Sequence, residues 1–319
     1  MAEFDLIAHI QTRTQSRVAL RDDVVLGIGD DAALLQVPAG MQLAVATDTL
    51  NAGVHFPVET APADIGWKAL AVNLSDLAAM GAEPAWCTLS LSLPDGGDAW
   101  LDGFLDGFLD LALQHRIALV GGDTTRGPLS ISVTVHGFIA PGRALRRDAA
   151  RVGDDVWVSG TLGDAAAALE QWRTGAAVDA RLRARLDRPT PRVALGRALV
   201  GIAHACIDLS DGLLADLSHV CGASGNGADV DLESLPASDA LQAFANEDAR
   251  RSLQVAGGDD YELCFSAPSG SLVDVQRVAD SVGVAVSWVG RITAKEGVRL
   301  FDADAIEWMP LRKGYEHFG

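Results

Sequence analysis

Six short aspartate clusters, most of them flanked by glycine and set beside apolar runs, constrain this chain more than any other feature: GIGDDAALL, ATDTL, NLSDLAAMG, GGDTTRG, IDLSDGLLADL and GGDDYEL. Asp is the short acid. At a strand end or tight turn it holds a hard divalent cation close to the backbone, where phosphate oxygens complete an octahedral shell. No GxxxxGK[ST] loop occurs in the sequence, so a triphosphate bound here would be met by metal-bridged carboxylates and not by a lysine and an amide cradle. One Asp-Gly cluster alone reads equally well as a solvated turn. Six in one chain read as a multi-metal nucleotide site.

The length of 319 residues and a 49% hydrophobic content supply two domains of ordinary size, each with its own core. The net charge of −18, from 43 acids against 25 bases, disfavours a duplex-binding surface, which needs Lys and Arg patches to displace counterions. The short basic cluster of Arg143, Arg146, Arg147 and Arg151 suits a phosphate clamp instead. Cys87, Cys206, Cys221 and Cys264 are scattered, without a CxxC pair, and read as reduced buried thiols of a cytoplasmic protein. The first residues lack the pattern of a signal peptide and no run reaches the length of a membrane span, so neither membrane nor nucleic acid is an expected partner.

Val24 to Ile28 and Gln42 to Thr47 are β-rich runs that each end at an Asp cluster, as strands delivering carboxylates to one edge would. From Asp64 to Met80, Trp67, Leu70, Ala71, Leu74 and Leu77 recur at helical spacing, which places Asn73 and Asp76 one turn apart on the other flank. Trp86 to Leu93 alternates like a strand. Leu101, Phe104, Leu105, Phe108 and Leu109 then mark an amphipathic helix whose Asp102, Asp106 and Asp110 form a solvent face without a role. Ile117 to Val120 runs as a strand into GGDTTRG, and Leu129 to Phe138 alternates again. The stretch 141–155 breaks the pattern with Pro, Gly and charge, so the expected domains are 1–145 and 146–319. In the second, Val156 to Ser159, Tyr261 to Phe265 and Val284 to Val289 read as strands, helical segments follow the first of these through Ala203, and IDLSDGLLADL opens a helix with Asp211 near its N-terminus.

Taken in order, GIGDDAALL, TDTLNAGVHF, KALAVNLSDLAAMGAEPAW, GGDTTRGPL, DLSDGL and GGDDYELCF resemble the thiamine-monophosphate kinase family, over nearly the whole chain. That family sits in the superfamily of aminoimidazole ribonucleotide synthetase. The resemblance implies a mixed α/β fold of two domains, the N-terminal one forming a β-barrel across a homodimer and the C-terminal one α/β. It also implies transfer of the γ-phosphoryl group of ATP to thiamine monophosphate, assisted by several Mg²⁺ ions, as the last step of thiamine diphosphate biosynthesis. Carried over by position, the metal ligands are Asp31, Thr47, Asp48, Asp76, Asp123, Asp208 and Asp211, with Asp30 secondary. Gly122, Asp123, Arg147 and Ser210 would contact ATP, and His55, Asp259 and Tyr315 the thiamine phosphate. Two positions depart from the family pattern. Ala46 stands where the family has Ser, leaving only its carbonyl as a ligand, and GGDD replaces GGED, which shortens the acid at Asp259 by one methylene.

The chemistry agrees with these assignments. A phosphate monoester has a second pKa of about 6, so at neutral pH the acceptor oxygen is already largely anionic and no general base is required. The alternatives are another ATP-using enzyme of the same superfamily and a non-catalytic metal-binding module. Against relatives that rely on a reactive cysteine near either end, the first Cys is Cys87 and the last residue is Gly319. Against a calcium module, EF-hand spacing with its terminal Glu is absent.

Overall fold

The computed structural model describes residues 3–17, 21–94, 97–310 and 314, and divides into two units, residues 1–77 with 82–142 and residues 78–81 with 143–319. The first contains α1 (Glu3–Arg17), β1 (Val24–Leu26), β2 (Leu34–Leu35), β3 (Gln42–Asn51), most of α2 (Pro62–Ala79), β4 (Glu83–Leu93), α3 (Asp98–His115), β5 (Ala118–Arg126) and β6 (Ser130–Ile139). The second contains β7 (Asp155–Ser159), α4 (Asp164–Arg173), α5 (Ala180–Asp187), α6 (Val193–Leu199), β8 (Ala205–Asp208), α7 (Leu213–Ser224), β9 (Gly227–Asp231), α8 (Asp239–Phe244), α9 (Glu247–Ala256), β10 (Leu263–Ala267), α10 (Leu272–Ser281), β11 (Val286–Thr293), β12 (Gly297–Phe301) and β13 (Glu307–Trp308).

In the first unit four strands run in the order β3-β6-β4-β5, antiparallel except for the parallel pair β4 and β5, which α3 connects. The sheet is open. A barrel across a dimer was the expectation; among the described residues this chain alone closes no barrel. Period-two alternation gives the sheet two distinct faces, because Ile131, Val133 and Val135 of β6 are buried while Ser132, Thr134 and His136 are half-exposed. Helix α2 buries Ile65, Leu70, Leu74 and Leu77 completely or nearly so, as its spacing requires. It lies against α3 at backbone distance. A Cβ at Gly66 would stand 2.0 Å from the Phe104 carbonyl oxygen, and one at Gly107 1.7 Å from that of Ala63. The LDGFLDGFLD echo is therefore a close-packing device as well as core periodicity.

The acidic flank of α3 is not the idle solvent face that its spacing predicts. Asp102 pairs with Arg13 and with His9 at 2.8 Å, Asp106 with Arg13 and with Arg17 at 3.0 Å, and Asp110 with Arg17 at 3.0 Å, so the row is a charged rail on which α1 lies. The partners lie about ninety positions away, beyond the reach of any periodicity argument.

The second unit is built on seven strands in the order β13-β12-β9-β11-β7-β10-β8, in which only β12 and β9 are parallel. Its core gathers Val156, Val158, Ile207, Leu217, Val230 and Val289 around the sheet and α7. No described helix is long and apolar enough to cross a membrane.

Candidate active site

The Thr47–Asp48 motif lies inside β3, not at its end, because all ten residues from Gln42 to Asn51 pair with β6. Alternation then separates the two residues. Thr47 and Thr49 join the half-exposed face, where Thr47 Oγ1 meets Thr134 Oγ1 at 2.8 Å and Thr49 Oγ1 meets Ser132 Oγ at 2.6 Å. Asp48 belongs to the other face, and its N–H donates to Asn73 Oδ1 of α2 at 2.9 Å. Asn73 completes its amide by donating to the Ala69 carbonyl at 2.9 Å. It is fully buried, whereas the sequence placed it on the outer flank of α2; a polar side chain satisfied on both ends is accepted in the core. Asp76 follows one turn later, half-buried, so α2 brings Asp48 and Asp76 to one side of the sheet.

The GGD motif also lies within a strand. Register sets Asp123 of β5 opposite Ser90, in the row that continues through Ser132 to Thr49, which is not the row of Asp48. Gly122 has φ +153°, and a Cβ there would stand 1.8 Å from the Leu89 carbonyl oxygen. Glycine is needed at that position by the packing of β4 on β5, whatever it does for a nucleotide. Asp30 and Asp31 occupy an exposed loop in which the Asp31 N–H donates to Asp30 Oδ1 at 2.8 Å. Gln11 of α1 anchors the loop by donating to the Ile28 carbonyl at 2.6 Å. His55 sits in a turn after β3 whose Asn51 N–H donates to its Nδ1 at 2.9 Å. That bond leaves the single proton of the neutral ring on Nε2.

In the second unit, two motifs about fifty residues apart are zipped together. The Asp259 N–H donates to the Ser210 carbonyl at 2.9 Å, the Tyr261 N–H to that of Leu209 at 2.8 Å, and the Leu209 N–H to that of Glu262 at 2.8 Å. Asp208 ends β8 and is buried; Ser210 and Asp211 are half-buried just beyond it. The zipper holds the GGDD loop in an uncommon backbone, with φ +68° at Asp259 and +49° at Tyr261, so β10 starts at Leu263 and not at Tyr261. Arg147 lies exposed in a short 3₁₀ turn. Tyr315 falls outside the described residues.

Sequence reasoning left three acids of these motifs unassigned, Asp216, Asp260 and Glu262, of which Asp260 is buried and accepts from the Gly163 N–H at 3.0 Å. Asp216, in the first turn of α7, accepts from the N–H groups of Asp211 at 3.0 Å and Gly212 at 3.1 Å, and so shapes the DLSDG loop. Burial pushes its carboxyl up to about 7, with Asp208 and Asp211 adding to the rise and the two N–H groups opposing it. Its signal was the fifth position after Asp211 in IDLSDGLLADL, where an acid suits the start of a helix. Glu262, fully buried, accepts from Ser159 Oγ at 2.6 Å, from Arg185 at 2.6 Å and from Arg192 through two nitrogens at 2.6 and 2.5 Å. A cleft of about 500 Å³ opens over Arg185, Arg192, Asp164 and Glu262, and none of the residues expected to bind metal, ATP or acceptor lines it. Its charges are largely matched internally.

The expected metal ligands are carboxylates, a hydroxyl and a carbonyl, the hard oxygen donors that Mg²⁺ takes. Among the described residues no three acids, histidines or cysteines stand close enough to cage an ion.

Comparison with known proteins covers both units. The family model described as AIR synthase related protein, N-terminal domain, matches residues 29–139, and its C-terminal domain counterpart matches 151–303. The thiamine-monophosphate kinase of Escherichia coli K12 is 47% identical over 325 aligned residues, which span 99% of this chain and 98% of the relative. The crystal structure of thiamine-monophosphate kinase from Stenotrophomonas maltophilia K279a superposes with a TM-score of 0.87 at 56% identity, over 94% of this chain and 96% of that one. AaThiL, solved in complex with AMPPCP and TMP, superposes with a TM-score of 0.78 at 33% identity, over 99% of this chain and 97% of its own.

Proposed function

This chain belongs to the thiamine-monophosphate kinase family and is a phosphotransferase, and from that premise we propose that it passes the γ-phosphoryl group of ATP directly to thiamine monophosphate, giving thiamine diphosphate and ADP. The observation that carries this reading is the likeness, along 99% of the chain, to a protein solved with AMPPCP and TMP together. In this reading Asp31, Thr47, Asp48, Asp76, Asp123, Asp208 and Asp211 are the residues that would hold Mg²⁺, with Asp30 and the Ala46 carbonyl as secondary donors. When bound, Mg²⁺ neutralises phosphate charge and favours an in-line displacement.

The chain's own residues supply the rest. Gly122, Asp123, Arg147 and Ser210 meet the nucleotide, Arg147 as the cation. His55, Asp259 and Tyr315 meet the acceptor, where the carboxylate of Asp259 faces the positive charge of the thiazolium. No side chain is asked to remove a proton, because the acceptor phosphate is already largely a dianion at neutral pH. The half-exposed hydroxyl face of the first sheet, with Leu43 and Val45 exposed on it, supports a homodimer formed through this face. Light scattering that returns a monomer mass at micromolar concentration would overturn the dimer. Four free, buried cysteines suit a reducing, cytoplasmic setting.

The test of the reaction is ADP release with and without thiamine monophosphate, with thiamine diphosphate measured as product. Asp48→Asn and Asp211→Asn should each abolish turnover while circular dichroism stays that of the parent. ATP turnover indifferent to the acceptor, or unchanged kcat in both variants at saturating Mg²⁺, would reject the reading.

A further inference from the structure

We propose that Lys68 is a positioning residue for the phosphate acceptor, acting through His55; the inference rests on the proposed place of His55 in the acceptor pocket. Lys68 lies in α2 at 1% exposure, among the largest fully buried side chains of the chain. A buried ammonium is far more costly than an apolar side chain of the same length, and is retained where its direction matters. Its Nζ donates to the carbonyl oxygen of His55 at 3.0 Å.

That carbonyl belongs to a turn fixed at several points. The N–H groups of Val54 and His55 donate to the Asn51 carbonyl at 3.2 and 3.0 Å, and Gly53 donates to that of Phe56 at 2.9 Å. The imidazole is held separately by Asn51, whose N–H donates to Nδ1 at 2.9 Å. The backbone of His55 is thus held from α2 and its ring from the end of β3. Phe56 and Pro57 are buried beside the turn, so loss of the ammonium would not be made good freely by water. Lys68 touches neither nucleotide nor acceptor in this reading; it sets where His55 stands. Asn73, five residues on in the same helix, does the same for the main chain of Asp48.

The consequence is a split between the two substrates. Lys68→Met keeps the stem and removes the donor, and should raise KM for thiamine monophosphate roughly tenfold while KM for ATP changes less than about twofold. Lys68→Arg, which keeps donors, should recover part of the loss. Combining Lys68→Met with His55→Ala should add nothing to the effect of His55→Ala on acceptor KM. Nitrogen NMR of the parent enzyme gives a readout that does not depend on a variant folding. The Lys68 ammonium resonance should move on saturation with thiamine monophosphate and hold still with an unhydrolysable ATP analogue alone. An unmoved resonance at saturating acceptor, or a folded Lys68→Met with an unchanged acceptor KM, overturns the proposal. If His55→Ala also leaves the acceptor KM unchanged, the assignment of His55 is what fails; if His55→Ala raises it and Lys68→Met does not, only the role of Lys68 does.

Discussion

The N–H of Asp48 donates to Asn73 Oδ1 across 2.9 Å, joining β3, an edge strand of the first sheet, to the helix that carries Asp76. Asn73 is fully buried and its amide is used at both ends. Asn73→Ala should therefore cost about 1–3 kcal/mol of stability, the penalty for stranding buried polar groups. It should also lower turnover, since Asp48 loses its brace. Urea unfolding alongside steady-state kinetics checks both. Full stability in Asn73→Ala would mean that water replaces the amide.

The clamp on Glu262 makes a larger prediction. Its carboxylate has no exposure and takes hydrogen bonds from Arg185, Arg192 and Ser159. Glu262→Gln would leave two guanidinium groups facing a neutral amide in a confined space, at a cost of about 3–5 kcal/mol. The surface pair of Arg277 with Asp274 is the control, because both side chains are more than half exposed and Arg277→Ala should leave the melting temperature as it was. Equal effects of the two substitutions would show that Glu262 is not the keystone of this loop.

Acid stability has a traceable contributor at Asp23. The hydrogen bond from Arg21 holds its carboxyl below the ordinary range against the opposing effect of burial, with Trp86 Nε1 adding a hydrogen bond at 2.9 Å. A carboxylate whose folded pKa is depressed stabilises the fold above its unfolded value of about 3.9, and that contribution is lost as pH falls through the folded value. Asp23→Asn should accordingly be less stable than the parent at pH 7, with the difference shrinking as pH falls below about 4. Thermal melts of parent and variant across that range measure it. A difference that stays constant with pH would remove Asp23 from the account.

What was legible in the sequence follows from the range of the forces involved. Local periodicity places α2, α3 and the buried face of β6, because burial acts on each element through its own spacing. The glycine-flanked acids mark the motifs because Asp and Gly carry local backbone information. The pairing of β3 along its full length, the rail of α1 on Asp102, Asp106 and Asp110, and the seating of Glu262 between Arg185 and Arg192 depend on partners roughly seventy to ninety positions away. No window of sequence contains both members of such a pair. Asn73 illustrates the same limit, since its polarity argued for solvent while the Asp48 N–H, supplied by another element, made burial the better state.

Asp259 joins backbone conformation to the proposed chemistry. Its φ of +68° lies in the left-handed region, which Asp and Asn enter more readily than longer side chains. Asp259→Asn keeps that backbone and removes the charge, so it isolates the contact proposed between the carboxylate and the cationic acceptor, a charge-assisted bond about twice as strong as a neutral one. We expect KM for thiamine monophosphate to rise roughly tenfold, KM for ATP to stay within about twofold, and the melting temperature to hold. Asp259→Glu restores the side chain common in the family at this position but must occupy the left-handed backbone with a longer acid. It should bind the acceptor normally and lose about 1 kcal/mol of stability. Kinetics with each substrate varied in turn, together with melts of both variants, decide between charge and conformation. If Asp259→Asn weakened ATP binding and spared the acceptor, the loop zipped to Ser210 would belong to the nucleotide side of the site.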